Sequence, residues 1–167
     1  MDKKEKIKKK LKENNDYLKK RLGYGISFDI GVRELKCLNR DIAMYYVNGL
    51  CDSEVVVQII RVIDEINANK KTYSAKDALA LNLPHQQVET TELLDESVDR
   101  MLSGLLVIFI DGESEAFIVD VRKYPGRQPE EPDTEKVVRG SRDGYTENII
   151  ENAALTRRRI RDERLRH

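Results

Sequence analysis

The feature that most constrains this chain is a run of six apolar residues, 105–110, closed by Gly104 on one side and Asp111-Gly112 on the other. An apolar run this short, flanked by turn residues, reads as a strand buried on both faces. A membrane span needs about twenty such residues, and no run in the sequence approaches that length. Residues 116–121 follow across a turn and read as a hairpin partner. A second hairpin is expected earlier, with strands at 32–38 and 42–47 and the polar Asn39-Arg40-Asp41 between them.

Helical periodicity fills the intervals. Asp52 offers an N-cap to a helix whose stripe is Val55, Ile59, Val62, Ile63 and Ile66. A short helix is expected at 75–81 and a strand at 86–90. A helix opened by Thr91 turns Leu94, Val98, Met101 and Leu102 inward and ends at Gly104. Three of the four prolines fall in 124–132, which reads as a loop. A short strand is expected at 136–139, and a last helix over 143–160 carries Ile149, Ile150, Ala153 and Ile160. The order is α-ββ-α-β-α-ββ-α, an α/β chain of α+β-like order. It predicts a mixed sheet of about five or six strands flanked by helices.

A zero net charge hides a segregation. Residues 1–22 carry ten Lys or Arg against four acids, and residues 156–167 carry six Arg against two. The body between them is therefore net −10. The basic ends suit that body, an acidic partner or an anionic membrane surface. We divide the chain into a basic N-terminal helix or arm (1–23), one α/β domain (24–160) and a basic tail (161–167). In the first of these, Ile7, Leu11, Leu18 and Leu22 make a thin stripe broken by Asn14. It predicts a projecting or frayed helix.

Signals for chemistry are sparse. His85 follows a proline in a loop with no cysteine at metal-ligand spacing, and the other histidine is His167. Cys37 and Cys51 form no CxxC motif and follow no secretory leader, which suits buried thiols in a reducing compartment. Glu89, Glu92, Asp95, Glu96 and Asp99 cluster around the helix opened by Thr91, between its inward positions, and should face water. The expectation is no catalytic residue, no metal and no cofactor. Arg157-Arg158-Arg159, with Arg161, Arg164 and Arg166, spread around a helix rather than along one groove. They lack base-reading neighbours, so nucleic acid is not the expected partner.

Residues 129–145 are the most distinctive. Arg139, Gly140, Ser141, Arg142 and Gly144 at a helix start have the chemistry of an anion site. The same residues also suit a capped turn whose arginines pair with Glu130, Glu131 or Glu135. An anion-sensing or small-ligand module is the alternative function this leaves open.

Glu130-Glu131-Pro132-Asp133-Thr134-Glu135-Lys136-Val137-Val138-Arg139-Gly140, then Arg142-Asp143-Gly144-Tyr145, Glu147, Asn152 and Arg157-Arg158-Arg159-Ile160, resemble the soluble N-terminal region of GerA-type spore germination proteins. The chain departs from the family pattern with Ser141 for Pro, Asp143 for Glu, Tyr145 for Phe and Thr156 before the arginines. Phe28-Asp29-Ile30-Gly31-Val32-Arg33, Tyr45-Tyr46-Val47-Asn48-Gly49-Leu50 and His85-Gln86-Gln87-Val88-Glu89 look like a sporulation branch of that family. The resemblance runs from about residue 25 to the end.

It implies a spore inner-membrane protein with two soluble subdomains, facing the spore core, before a transmembrane bundle. Residues 24–160 would then be the first subdomain, with no membrane span of their own. It further implies a part in ion release during germination, with other subunits of a germination complex as partners and a homo-oligomer in the full-length protein. Glu131, Glu135, Arg139, Arg142, Asp143, Asn152, Arg157, Arg158 and Arg159 are then the expected contact residues. Bidentate Arg–carboxylate pairs would fix the last helix to the domain body or to a neighbour.

Overall fold

The computed structural model describes residues 5–69, 73–83, 88–124, 145 and 147–167. Along the chain these form α1 (Leu11–Leu22), β1 (Ile30–Cys37), β2 (Arg40–Val47), α2 (Ser53–Asn69), α3 (Ala75–Asn82), β3 (Val88–Thr91), α4 (Leu94–Leu102), β4 (Leu106–Ile110), β5 (Ala116–Val119) and α5 (Ile149–Arg159). The expected strand at 136–139 lies outside the described residues.

The apolar run is the middle strand. Among the described residues the sheet has five strands in the order β1-β2-β4-β5-β3. Leu106, Ile108 and Ile110 of β4 join Ile42 and Met44 of β2 in a core under α2 and α3. Val107 and Phe109 join Ala43, Tyr45 and Val47 in a second core under α1 and α4. Helices cover both faces, so the period-2 alternation that marks a half-exposed strand is absent from β4. Tyr45 and Phe109 meet edge to face across the two central strands, 5.6 Å apart.

The expected fold class holds, and the pairing is more regular than the mixed sheet expected. Every pairing is antiparallel. The reason is where the chain returns after α2, α3, β3 and α4. Gly104, just before β4, lies against the Leu50 carbonyl just after β2. β4 therefore starts at the end where β2 stopped. Gly104 sits at φ 93°, and an added Cβ would press on that carbonyl.

Three local expectations shift. The first hairpin turns at Leu38-Asn39, not Asn39-Arg40-Asp41, because β1 and β2 pair from Ile30↔Val47 down to Cys37↔Arg40. Leu38 takes a positive φ of 54°. Asn67 of α2 clamps it, accepting from the Leu38 N–H at 2.6 Å and donating to the Lys36 carbonyl at 2.8 Å. Thr91 ends β3 instead of opening α4, since its hydroxyl is taken by the Leu93 N–H and by Glu96. The last helix starts at Ile149, where the Asn148 side chain accepts from Ile150 and Glu151 N–H groups.

The N-terminal segment packs where projection was expected. Ile7 and Glu5 exchange backbone hydrogen bonds with Glu92 and Leu94, so this part is extended and the helix begins only at Leu11. Asn14 does not interrupt a stripe. It is buried, accepting from the Lys8 N–H at 2.9 Å and donating to the Lys8 carbonyl at 2.6 Å. The basic charge is met by the acidic body, with Arg21 on Asp95 at 2.6 Å and Lys19 on Glu34 at 2.6 Å.

Candidate functional site

Arg157 is the largest fully buried side chain among the described residues. α5 puts it there. Ala153 and Ala154, the other buried residues of the helix, lie four and three positions earlier, so Arg157 continues the inward stripe. A guanidinium in that position must have its donors satisfied.

Asp29, at the entrance to β1, supplies most of the answer. Nε and Nη2 of Arg157 donate to Oδ2 and Oδ1 of Asp29 at 2.7 and 3.0 Å, a bidentate pair with both side chains 1% exposed. Ser27 donates its hydroxyl to Asp29 Oδ1 at 2.6 Å and accepts from Nη2 at 3.3 Å. The remaining donors reach the carbonyls of Asp162 and Leu165, each at 3.1 Å. Burial would raise the Asp29 carboxyl. The hydrogen bonds from Arg157 and Ser27, with the arginine charge, outweigh burial and hold it below the usual carboxylate range.

One side chain thus joins three segments: the loop between α1 and β1, α5, and residues 161–167. Further contacts hold the third segment. Arg21 donates to Glu163 at 2.7 Å, Arg166 donates to the Arg21 carbonyl at 3.1 Å, and the His167 N–H reaches the Ser27 hydroxyl at 3.1 Å. The basic stretch 161–167 is folded back on the domain.

The other expected contact residues are placed differently. Arg158 lies 4.1 Å over the Tyr124 ring, whose hydroxyl donates to the Ser103 carbonyl at 2.9 Å. Arg159 is exposed, and half-buried Asn152 carries the helix hydrogen bond to Asn148. The triple arginine therefore splits three ways, as a 100° step per residue requires. Glu131, Glu135, Arg139, Gly140, Ser141, Arg142, Asp143 and Gly144 all lie outside the described residues, as does His85.

Ser27 was not singled out by sequence reasoning, and Asp29 entered only within a motif. The available signal was helical spacing, which put Arg157 on the Ala153–Ala154 face and so demanded a buried acceptor.

The chemistry of this centre is positional. Its carboxylate is saturated and locked anionic. Burial pushes the Cys37 and Cys51 thiols up, away from the thiolate form. Among the described residues, no three or more His, Cys, Asp and Glu side chains come together as metal ligands, and no helix is long and apolar enough to cross a membrane.

The family model described as Bacillus/Clostridium GerA spore germination protein matches residues 16–167. The chain belongs to the GerA spore germination family. The match takes in α1 from Asp16 onward, further toward the N-terminus than the motifs alone reach. Among curated GerA-family relatives, the chain is 52% identical to stage V sporulation protein AF of Bacillus subtilis. That match spans 92% of this chain and 31% of the relative. It is 29% identical to spore germination protein KA of the same organism, over 84% of this chain and 27% of that one. The chain thus spans about a third of the length of these relatives. The fold matches a crystal structure, the N-terminal domain of the A subunit of the Bacillus megaterium spore germinant receptor GerK3. The TM-score is 0.71 at 19% identity, covering 96% of this chain and 58% of that one.

Proposed function

We propose that this GerA-family chain is a non-catalytic assembly domain of a spore inner-membrane germination protein, facing the spore core and serving ion release. The observation that carries the reading is the 52% identity, over nearly the whole chain, to a sporulation protein about three times longer. The site geometry supports a mechanical role. Its most buried charged group is spent on holding α5 and the residues after it in one orientation, with the His167 imidazole 3.9 Å from the Asp29 carboxylate. An assembly domain needs a surface that presents contact residues in fixed positions. In this reading the acidic Glu131 and Glu135, together with Arg139, Arg142, Asp143 and Arg159, meet other subunits or a second copy.

The test uses the full-length protein in spores. Charge reversal at Arg139 and Arg142 should leave its amount in the inner membrane unchanged while reducing co-purification with its complex and slowing ion release. Normal co-purification and normal release kinetics in those spores would end the proposal.

A further inference from the structure

The loop between α1 and β1 carries a surface that the clasp does not explain. From its buried anchor, Ser27 and Asp29, the loop turns outward and shows Tyr24, Ile26 and Phe28 to solvent. Ile26 is 73% exposed, the highest value among the large hydrophobic residues described, shared with Tyr145. Single exposed apolar residues are ordinary. Here Tyr17 adds to them, four apolar side chains from one stretch of twelve residues.

Backbone hydrogen bonds and a ring contact shape the loop. Gly23 and Gly25 take positive φ values of 68° and 83°. The Ile26 and Ser27 N–H groups both donate to the Gly23 carbonyl at 2.9 Å. The Phe28 ring lies 6.1 Å from the His167 ring.

The charge within the loop's own stretch has one sign. Residues 17–28 contain Lys19, Lys20 and Arg21 and no carboxylate. Lys19 lies 5.4 Å from the centre of the Tyr24 ring, and Arg21 lies 5.7 Å from that of Tyr17. The Arg166 guanidinium covers Gly23, where an added Cβ would strike it. It donates to the carbonyls of Arg21, Glu163 and Leu165, so its positive charge remains at the loop. Glu34 neutralises Lys19, and Asp95 and Glu163 neutralise Arg21. Lys20 is exposed.

We propose that this loop docks on an anionic lipid surface, with Ile26 as the inserted tip and Tyr17, Tyr24 and Phe28 at headgroup depth. Lys20 and Arg166 then lie over the lipid phosphates. Exposed aliphatic and aromatic side chains beside the cations of Lys20 and Arg166 match a bilayer interface, where amphipathic rings settle and cations meet negative surface potential. A protein partner would instead favour a flatter patch with a packed aromatic centre. The inference does not rest on the assembly reading: the loop would bind lipid even in a chain whose subunit contacts were lost.

The experiment is flotation of the 167-residue chain with vesicles of phosphatidylcholine, alone or mixed with phosphatidylglycerol, at low and high salt. The chain should float only with the mixed vesicles and at low salt. Lys20→Glu should weaken partitioning at least about fivefold, the effect of one cation at such a surface. Ile26→Ser should weaken it about tenfold or more. Both residues are exposed, so both variants should melt like the parent. The chain lacks Trp, so Ile26→Trp places a single indole at the tip, and its emission should shift to the blue on mixed vesicles alone. No flotation, flotation unaffected by Ile26→Ser, or a self-association in sedimentation that Ile26→Ser abolishes would each overturn the proposal.

Discussion

Replacing Arg157 by Met keeps an unbranched apolar stem and removes the guanidinium, leaving Asp29 buried with the Ser27 hydroxyl and with the His167 imidazole 3.9 Å away. Two routes then bound the cost at neutral pH. Keeping the carboxylate charged and unpaired in the interior costs about 3–5 kcal/mol, as for other broken buried pairs. Protonating it instead, from an ordinary pKa near 3.9 to about pH 7, costs about 4 kcal/mol at roughly 1.4 kcal/mol per pH unit. The routes converge, so the loss should be about 3–5 kcal/mol. At roughly 2–4 °C per kcal/mol for a chain of this size, that is a fall in Tm of the order of 10 °C. Urea denaturation of Arg157→Met, Asp29→Asn and the double variant measures it. The double variant should be well above the stability expected from adding the two single losses, because a neutral amide in place of the Asp29 carboxylate leaves no charge stranded. The Arg157→Met penalty should also shrink toward about pH 5, where protonating Asp29 becomes cheap. A penalty below about 1 kcal/mol, or strictly additive losses, would show that the pair does not hold the fold.

Other expectations follow from the same geometry. In the parent chain the Asp29 carboxyl sits below its ordinary value, so folding binds fewer protons at that site. Its contribution is complete above about pH 4 and is lost as pH falls through the lowered value. Acid denaturation of Asp29→Asn, followed by circular dichroism, should therefore be less steep below about pH 4. Asn148→Ala removes the acceptor for the Ile150 and Glu151 N–H groups and should cost about 1 kcal/mol in urea melts. Ile108→Ala, in the central strand and fully buried, should cost about 2–5 kcal/mol with an unchanged denaturant slope.

The sheet was legible because its signals are local. The 105–110 run, the two hairpins and the stripe of α2 each follow from residues within one element. Pairing direction was not legible, because it depends on where Gly104 returns beside Leu50, two residues separated by the whole 53–102 excursion. The N-terminal arm was misjudged for a related reason: Asn14 looks like a break in the stripe until the Lys8 backbone arrives to use both ends of its amide. The site was half legible. The arginine cluster drew attention to the right helix, but adjacency in sequence suggested that its members act together, whereas the helix sends Arg157 inward, Arg158 onto Tyr124 and Arg159 to the surface.

That split bears on how such a motif works. A run of three arginines is one feature to a reader of sequence and three to a folded helix, and only the member aligned with Ala153 and Ala154 is buried. Because Arg157 holds the carbonyls of Asp162 and Leu165 as well as Asp29, the direction in which residues 161–167 run is set inside the domain by one side chain. The exposed loop at 24–28 is anchored by the same Ser27 and Asp29. The loop and residues 161–167 are therefore both held by one buried ion pair, and losing that pair loosens both.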